Sequence, residues 1–157
     1  MAEAFRTDAF IAPTFGQRLG GRLLDSIYYV PITVVAAHLV SNMTSQRLVL
    51  LAAGASYEIG ALLLAGGQTI GKRIMGTRVV TVGREPLLWS QAVVRYLVYA
   101  GPAFALLAAG LGVGPSIWTA IVVVPVLRPP LHRGLHDYAA RTIVIPTHTW
   151  ASRGPAR

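Results

Sequence analysis

The sequence contains no cysteine and few charged residues. Without cysteine, the chain cannot form disulfides, a thiolate nucleophile, or Cys-based zinc and iron–sulfur sites. Charged residues make up 13% of the 157 residues, about half of the roughly 25% found in soluble domains. Hydrophobic residues make up 54%, and the mean hydropathy is +0.54. This composition argues against a water-soluble fold and equally against a disordered chain.

Acidic residues are scarcer than basic ones. The chain has 6 Asp and Glu against 14 Lys and Arg, which gives a formal net charge of +8. A charge of this sign suits nucleic acid, anionic lipid or the inner face of a membrane. The positions of the basic residues relative to the apolar segments decide among these partners.

Four apolar segments are candidates for membrane spans, because crossing a hydrocarbon core takes about 20 mostly apolar residues. Asp25 and Pro31 interrupt the first segment, Glu58 the second, and Arg95 and Pro102 the third. The apolar run of the fourth segment, from Pro115 to Leu127, gives only about 20 Å of helix, which is short for a full crossing. The predicted spans are residues 23–40, 48–67, 92–112 and 113–128.

The distribution of basic residues favours four spans over three. With four spans, every Lys and Arg except Arg47 lies on one side of the membrane, as expected for a cytoplasmic face. With three spans, the C-terminal arginines would lie on the opposite side. We therefore expect an all-α integral membrane protein of the cell membrane, with both termini cytoplasmic. The positive charge then reflects orientation in the lipid bilayer, and no nucleic-acid partner is expected.

The segments between the spans predict a small β-structure. Residues 78–82 (RVVTV) and 141–145 (RTIVI) are rich in β-branched residues and end at Gly83 and Pro146. We expect either that they pair as a short cytoplasmic β-ribbon or that each lies separately at the lipid interface. Residues 1–146 are expected to form one transmembrane domain and residues 147–157 a flexible cytoplasmic tail. The N-terminal residues do not resemble a signal peptide.

Ionisable residues inside or next to the spans are candidate functional groups, because such groups usually face a bundle interior or a pathway. Arg18, Arg22 and Asp25 are spaced to form one polar stripe on a helix, so Asp25 has a partner within reach. It is either an entry salt bridge or a functional group. Glu58 has no basic residue within helical reach on its own span. It is protonated, hydrogen-bonded to a polar group of the first span, paired with Arg95, or part of an ion route.

The segment Gly66 to Lys72 (GGQTIGK) nearly matches a phosphate-binding P-loop. Arg73 replaces the Ser or Thr needed for magnesium, and a membrane segment precedes it instead of a strand, so nucleotide hydrolysis is not expected. We expect an interfacial motif whose glycines let the chain turn and whose cations meet lipid phosphates. Its residues are Gln68, Thr69, Gly71, Lys72 and Arg73.

Three neighbouring residues are candidate metal ligands: His132, His136 and Asp137. No third strong ligand is near the two histidines in sequence, so neither a metal nor a cofactor is expected. We expect Asp137 to cap or pin the C-terminal segment by pairing with Arg18 or Arg73. Since the sequence has no recognisable nucleophile motif, an enzyme is not expected either.

Three blocks of the sequence resemble the RDD family of membrane proteins, which is named for an arginine and two aspartates. They are FGQRLGGRLLDS with Arg18 and Asp25, GQTIGKRIMGTRVV at residues 67–80, and GLHDYAARTIVI at residues 134–145 with Asp137. Arg22 is an extra basic residue in the first block. Arg141 stands where the last block usually has glycine. The resemblance implies transport of an unidentified ligand, with cation and proton exchange suggested for some members.

Two functions follow as hypotheses. The first is an oligomeric transporter that moves an ion or small solute past a polar network of Arg18, Asp25, Glu58 and Asp137. Its support is the presence of acids inside apolar segments. The second is a non-transporting accessory or scaffold subunit that docks on a larger membrane-protein partner. Its support is the small size of the chain.

Overall fold

The computed structural model describes residues 12–128 and 132–151, which form helices around one two-stranded sheet. In chain order the elements are α1 (Phe15–Ile27), α2 (Tyr29–Leu39), α3 (Met43–Leu64), α4 (Ile70–Ile74), β1 (Thr77–Thr81), α5 (Trp89–Ala108), α6 (Gly114–Val123) with a 3-10 turn (Val124–Leu127), α7 (Leu135–Ala139), β2 (Thr142–Pro146) and α8 (Thr147–Ala151).

The predicted first span, residues 23–40, is divided between two helices. α1 begins after Thr14, whose side chain accepts a hydrogen bond from the Gln17 N–H, and ends at Ile27. The Tyr28 N–H donates to the Asp25 carbonyl at 3.2 Å, a tight closing turn, and α2 then starts at Tyr29. α2 alone is only about 17 Å long. The continuous span predicted here is therefore not confirmed.

Within the described residues, two helices, α3 and α5, are long and apolar enough to cross a membrane. They correspond to the second and third predicted spans, and they pack against each other along their length. At one end Arg47 donates to the Leu107 carbonyl at 3.1 Å, and at the other end Leu62 packs near Ala92. The two helices are therefore antiparallel and form the central pair of the fold.

The predicted fourth span, residues 113–128, is not one continuous α-helix. α6 ends at Val123 and the chain continues as a 3-10 turn to Leu127, within which Pro125 lacks the N–H that an α-helix needs. This apolar helical stretch stays below the length of a membrane span. Two membrane spans are thus supported by length and composition, and the expected four are not confirmed.

The β-ribbon predicted from the sequence is confirmed, with both strands shifted by one residue. β1 and β2 pair antiparallel, with Val79 opposite Val144 and Val80 opposite Ile143. The alternative, in which each segment lies alone at the lipid interface, is wrong. One face of the ribbon packs Val79 and Val144 against Leu62 of α3 and Ala92 of α5. The ribbon therefore covers the ends of the two long helices.

α4 connects α3 to the ribbon and packs directly on α1. At the crossing, a Cβ on Gly71 would lie 2.0 Å from the carbonyl oxygen of Gly21, so only glycine allows this backbone approach. The two helices belong to segments of similar sequence, 16–25 and 67–76. The similarity therefore produces two glycine-bearing helices that contact each other.

The segment predicted as a tail starts as α8, and the Thr147 N–H donates to the Gly76 carbonyl at 2.8 Å. The remaining tail residues, 152–157, and the first part of the predicted domain, 1–11, lie outside the described residues.

Candidate functional site

Three buried acids lie where α1, α3, α4, α5 and α7 meet, under the ribbon. Each acid comes from a different helix: Asp25 from α1, Glu58 from α3 and Asp137 from α7. All three are at most 5% exposed. Since an isolated carboxylate is costly to bury, each needs basic or hydrogen-bonding partners.

Asp25 fixes α4 onto α1. One carboxylate oxygen accepts from the Gly71 N–H at 2.8 Å and from the Tyr57 hydroxyl at 2.8 Å. The other accepts from the Thr69 hydroxyl at 2.6 Å and from the Lys72 ammonium at 3.4 Å. The partners of Asp25 are thus in α3 and in the α4 segment. The expected stripe partners, Arg18 and Arg22, instead contact other acids, because α1 directs Asp25 toward α4.

Glu58 pairs with Arg22 of α1, whose Nη1 lies 3.0 Å from the Glu58 carboxylate. The same guanidinium donates through Nε to the Tyr99 hydroxyl at 3.2 Å and lies 3.9 Å from the centre of that ring. Among the four alternatives for Glu58, pairing with a cation was correct in kind, but the partner expected from the sequence, Arg95, was wrong.

Asp137 is the acid with the most basic neighbours. Its Oδ1 accepts from Arg95 of α5 and its Oδ2 lies 3.7 Å from Arg18. Oδ2 also accepts from the Gly134 N–H at 3.0 Å, which caps α7. The expectation that Asp137 caps its segment and pairs with Arg18 is confirmed. Arg73, the alternative partner, is exposed on α4.

Electrostatics around α7 keep Asp137 charged and His136 neutral. Burial alone would raise the pKa of Asp137, but the charges of Arg95 and Arg18 and the Gly134 N–H hold that pKa well below its usual range. Burial lowers the pKa of His136 to about 4, against the opposing charge of Asp137. The side chain of Arg133 adds a further positive charge, donating to the carbonyls of Thr142 and Asp137 at 3.0 and 2.9 Å.

The interfacial motif expected at lipid phosphates is divided between internal and external contacts. Lys72 turns inward to Asp25 and Thr69, and burial lowers its pKa, with Glu58 and Asp25 opposing that effect. Gln68 donates to the Thr77 carbonyl at 2.9 Å and so ties this segment to the ribbon. Only Arg73 is exposed as the lipid-phosphate interpretation requires. Lys72 is instead part of the buried network.

A cavity of about 400 Å³ lies among these groups. Its polar lining combines residues of α1, α3, α5, α6 and α7 with residues of the α4 segment and β1, and its apolar lining comes mainly from α1 and α6. The charged lining residues are Arg18, Arg22, Glu58, Lys72, Arg95 and Asp137. Three of the four residues predicted as a polar network, Arg18, Glu58 and Asp137, thus line one cavity, and Asp25 contacts it through Lys72.

A second cavity, of about 200 Å³, lies between α1, α2, α5 and α6, and its lining includes Tyr29, Ala103 and Phe104. Arg22, Tyr99 and Thr119 line both cavities. The contact between the Arg22 guanidinium and the Tyr99 ring therefore stands where the two cavities meet.

Several contributors to the site were not among the residues predicted for it. Tyr57 donates to Asp25, and Thr142 of β2 donates to Asp137. Tyr99 contacts Arg22, and Arg95, a candidate partner of Glu58, pairs with Asp137 instead. No spacing within one helix reveals such contacts. His132 donates through Nδ1 to the Val126 carbonyl at 2.7 Å. Within residues 12–128 and 132–151, no group of three or more His, Asp or Glu side chains is arranged to hold a metal ion.

Comparison with known proteins identifies the family. Neither the curated proteins nor the solved structures include a match to this chain. The sequence does match the RDD family over residues 12–141. That range contains Arg18, Asp25 and Asp137 and all of the helices that line the cavity. Because the match covers most of the sequence, the chain belongs to the RDD family, and with its two long apolar helices this indicates a membrane protein.

Proposed function

We propose that this protein transports a small ion or solute across the cell membrane through the two cavities that meet at Arg22 and Tyr99. The observation that carries the proposal is this junction: a charged cavity under the ribbon and a second cavity between the apolar helices share part of their lining. Ionisable residues at membrane depth usually mark such routes. Movement of Arg22 away from Tyr99 would connect the two spaces.

The ion pairs of the three buried acids indicate which kind of solute is transported. Glu58, Asp25 and Asp137 each already hold a basic side chain of the protein. A transported cation would have to displace one of these internal cations. The site therefore supports an anionic or neutral solute better than the cation and proton exchange suggested for some family members.

Oligomer formation, four spans and cytoplasmic termini remain part of this proposal. Buried residues make up 17% of the most apolar 18-residue stretch of α3 and 22% of that of α5. The rest of each stretch is available to lipid or to further copies of the protein. The bias of basic residues supports cytoplasmic termini.

The test is flux in liposomes containing the purified full chain. Sodium, protons, chloride and inorganic phosphate are each measured as the moving species. Ala103→Trp places a large ring in the second cavity, between α1, α2, α5 and α6. Ala105→Trp, two residues away on α5, changes an exposed position that lines neither cavity. We expect Ala103→Trp to abolish the flux and Ala105→Trp to keep it. Equal flux for the two variants would contradict this route.

The second candidate function is an accessory or scaffold subunit, and the apolar surface that α3 and α5 leave uncovered is the observation that favours it. Native mass spectrometry after gentle extraction from the original membranes separates the two functions. A homo-oligomer without other subunits supports transport. A partner of fixed stoichiometry, together with liposomes that move none of the four ions, supports the scaffold.

A further inference from the structure

The cavity under the ribbon has a positive end. Its charged lining contains four basic residues and two acids, and Asp25 adjoins it through Lys72. When Arg22 is assigned to Glu58 and Lys72 to Asp25, Arg18 and Arg95 share the single carboxylate of Asp137. Because the pKa of His136 is low, that residue adds no compensating or further charge near neutral pH. Among the residues that the structure describes, the cations of the lining therefore outnumber the acids that pair with them by one.

The same end of the cavity has unused hydrogen-bonding capacity. Arg95 is 4% exposed, and its Nε has no hydrogen-bond partner within the described residues. The Nδ1 of His136 is also buried without a partner in that part of the chain. Leaving a buried polar atom unsatisfied costs about 1–3 kcal/mol. Because Arg95 and His136 both line the cavity, a polar ligand there can complete these hydrogen bonds.

The opposite wall is apolar. Phe15 and Leu19 of α1 and Ala120 and Val123 of α6 line it. Phe15 and Leu19 are 41% and 45% exposed, so this wall continues into the apolar outer surface of α1. A small inorganic anion would satisfy the guanidinium but would leave the apolar wall without a partner. An anion that carries a hydrocarbon tail satisfies both.

We propose that the cavity binds an anionic amphiphile, with its phosphate or carboxylate head at Arg95 and His136 and its tail between α1 and α6. The inference rests on the proposed function, since it names the ligand class for the cavity assigned to transport. The head recognises an oxyanion and the tail is held by burial. A bilayer phospholipid and a free alkyl phosphate or fatty acid share this chemistry.

The first experiment is equilibrium binding of radiolabelled dodecyl phosphate to the full chain in a neutral detergent. Inorganic phosphate and dodecyltrimethylammonium serve as competitors, because one has the head without the tail and the other the tail with the opposite charge. We expect saturable binding, with both competitors at least about tenfold weaker than unlabelled dodecyl phosphate. Equal competition by the cationic amphiphile would overturn the proposal, since partition into detergent or apolar contact would then explain the binding.

Two tryptophan variants of α6 locate the site. Ala120→Trp fills the apolar end of the cavity, whereas Ile121→Trp makes the same substitution at an exposed position outside the lining. We expect affinity to fall at least about tenfold in Ala120→Trp and to change less than about twofold in Ile121→Trp. Equal affinities for the two variants would place the binding elsewhere and refute the inference.

Arg95→Lys tests the head group. The lysine retains a cation for Asp137 but lacks the guanidinium Nε, so we expect affinity to fall by about tenfold. A cooperative thermal transition in the absence of ligand shows that the variant is folded. Unchanged affinity in this variant would contradict the assignment of the head to Arg95.

Nanodiscs that contain phosphatidylglycerol and phosphatidylcholine identify the source of the ligand. Retention of phosphatidylglycerol by the wild type but not by Ala120→Trp in native mass spectrometry identifies a bilayer lipid as the occupant. Binding of dodecyl phosphate without lipid retention identifies a free amphiphile, and both results support the proposal. Binding of dodecyl phosphate without any flux of it or of the four inorganic ions would end the transport proposal alone. Flux of inorganic ions with no selective binding of dodecyl phosphate would end only this inference.

Discussion

Arg22 and Glu58 form an ion pair between α1 and α3, with Nη1 and Oε2 3.0 Å apart. The two side chains differ in burial, since Arg22 is 31% exposed and Glu58 6%. Losing the cation leaves the acid uncompensated in a buried position, whereas losing the acid leaves a cation that still contacts Tyr99 and partly reaches the surface. The pair is therefore asymmetric in what each partner contributes.

This asymmetry predicts the ranking of two variants. We expect Arg22→Gln to lower the free energy of unfolding by about 3 kcal/mol, and Glu58→Gln by about 1 kcal/mol. The double variant should lose less than the sum of the two, because it buries neither charge. Thermal unfolding of the four proteins in neutral detergent gives the cycle. A larger loss for Glu58→Gln, or strict additivity, would show that the two charges do not stabilise each other in this way.

Asp25→Asn is expected to release α4 from α1. The carboxylate accepts four hydrogen bonds, two at each oxygen, whereas the asparagine amide nitrogen would replace one oxygen and face either the Thr69 hydroxyl or the Gly71 N–H, both of which donate. We predict a loss of about 3 kcal/mol in stability and faster trypsin cleavage after Arg73, which is exposed on α4.

The matched control is Glu85→Gln, which neutralises an exposed acid in the turn after β1. It should leave both the melting temperature and the cleavage rate near those of the wild type. If Asp25→Asn is cleaved no faster than Glu85→Gln, then Asp25 is not what holds α4.

The sequence predicted local features of this fold better than its long-range partners. The two long helices and the β-ribbon were predicted because apolar runs and β-branched segments carry a local signal. Thr14 and Gln17 have capping-box spacing, which marks a helix start at residue 15 and could have indicated that the first predicted span begins as a separate helix. Hydropathy alone, in contrast, predicts residues 23–40 as one span and does not reveal its division.

The partners of the acids needed information that spacing does not contain. Spacing places Arg22 in one polar stripe with Arg18 and Asp25. Its partner, Glu58, lies on another helix 36 positions away. Asp137 was predicted more successfully, because capping its own helix is a local interaction. Arg18, which it contacts, is one of the two partners expected from the sequence, the other being Arg73. The closer contact with Arg95 depends on how α5 and α7 pack, which the sequence alone does not specify.

Arg141 has a backbone conformation that favours glycine. Its φ is +53°, in the left-handed region, at the turn between α7 and β2. Arg141 also stands where the RDD block usually has glycine, so the unusual residue coincides with a strained position. We predict that Arg141→Gly raises the free energy of unfolding by about 1 kcal/mol, because glycine adopts this conformation without steric cost.

Arg141→Ala separates backbone strain from loss of the charge. Alanine also removes the guanidinium but keeps a Cβ, so its melting temperature should stay close to that of the wild type, while the glycine variant melts about 3 °C higher. Equal melting temperatures for the glycine and alanine variants would mean that strain at this turn contributes nothing.

His136 makes stability depend on pH between its folded and unfolded pKa values. Burial lowers its pKa from 6.5 to about 4, while Asp137 and Glu58 oppose this effect and Arg95 and Arg22 reinforce it. The edge of its ring also meets Tyr99. Because the unfolded chain then takes up the proton first, the native state loses stability as pH falls from 6.5 towards 4. The loss from this group reaches at most about 3 kcal/mol.

Thermal unfolding of the full chain in neutral detergent at closely spaced pH values measures this dependence. In the unfolded chain Asp137 takes up its proton around its ordinary pKa of 3.8, below this window, so that acid adds little to the decline. His136→Gln removes the titrating group and should flatten the decline between pH 6.5 and 4. His38→Gln, a matched change on an exposed histidine of α2, should retain the slope of the wild type. If His136→Gln loses stability as steeply as the His38 variant does, the decline belongs to other groups, and a neutral His136 does not stabilise the cavity wall.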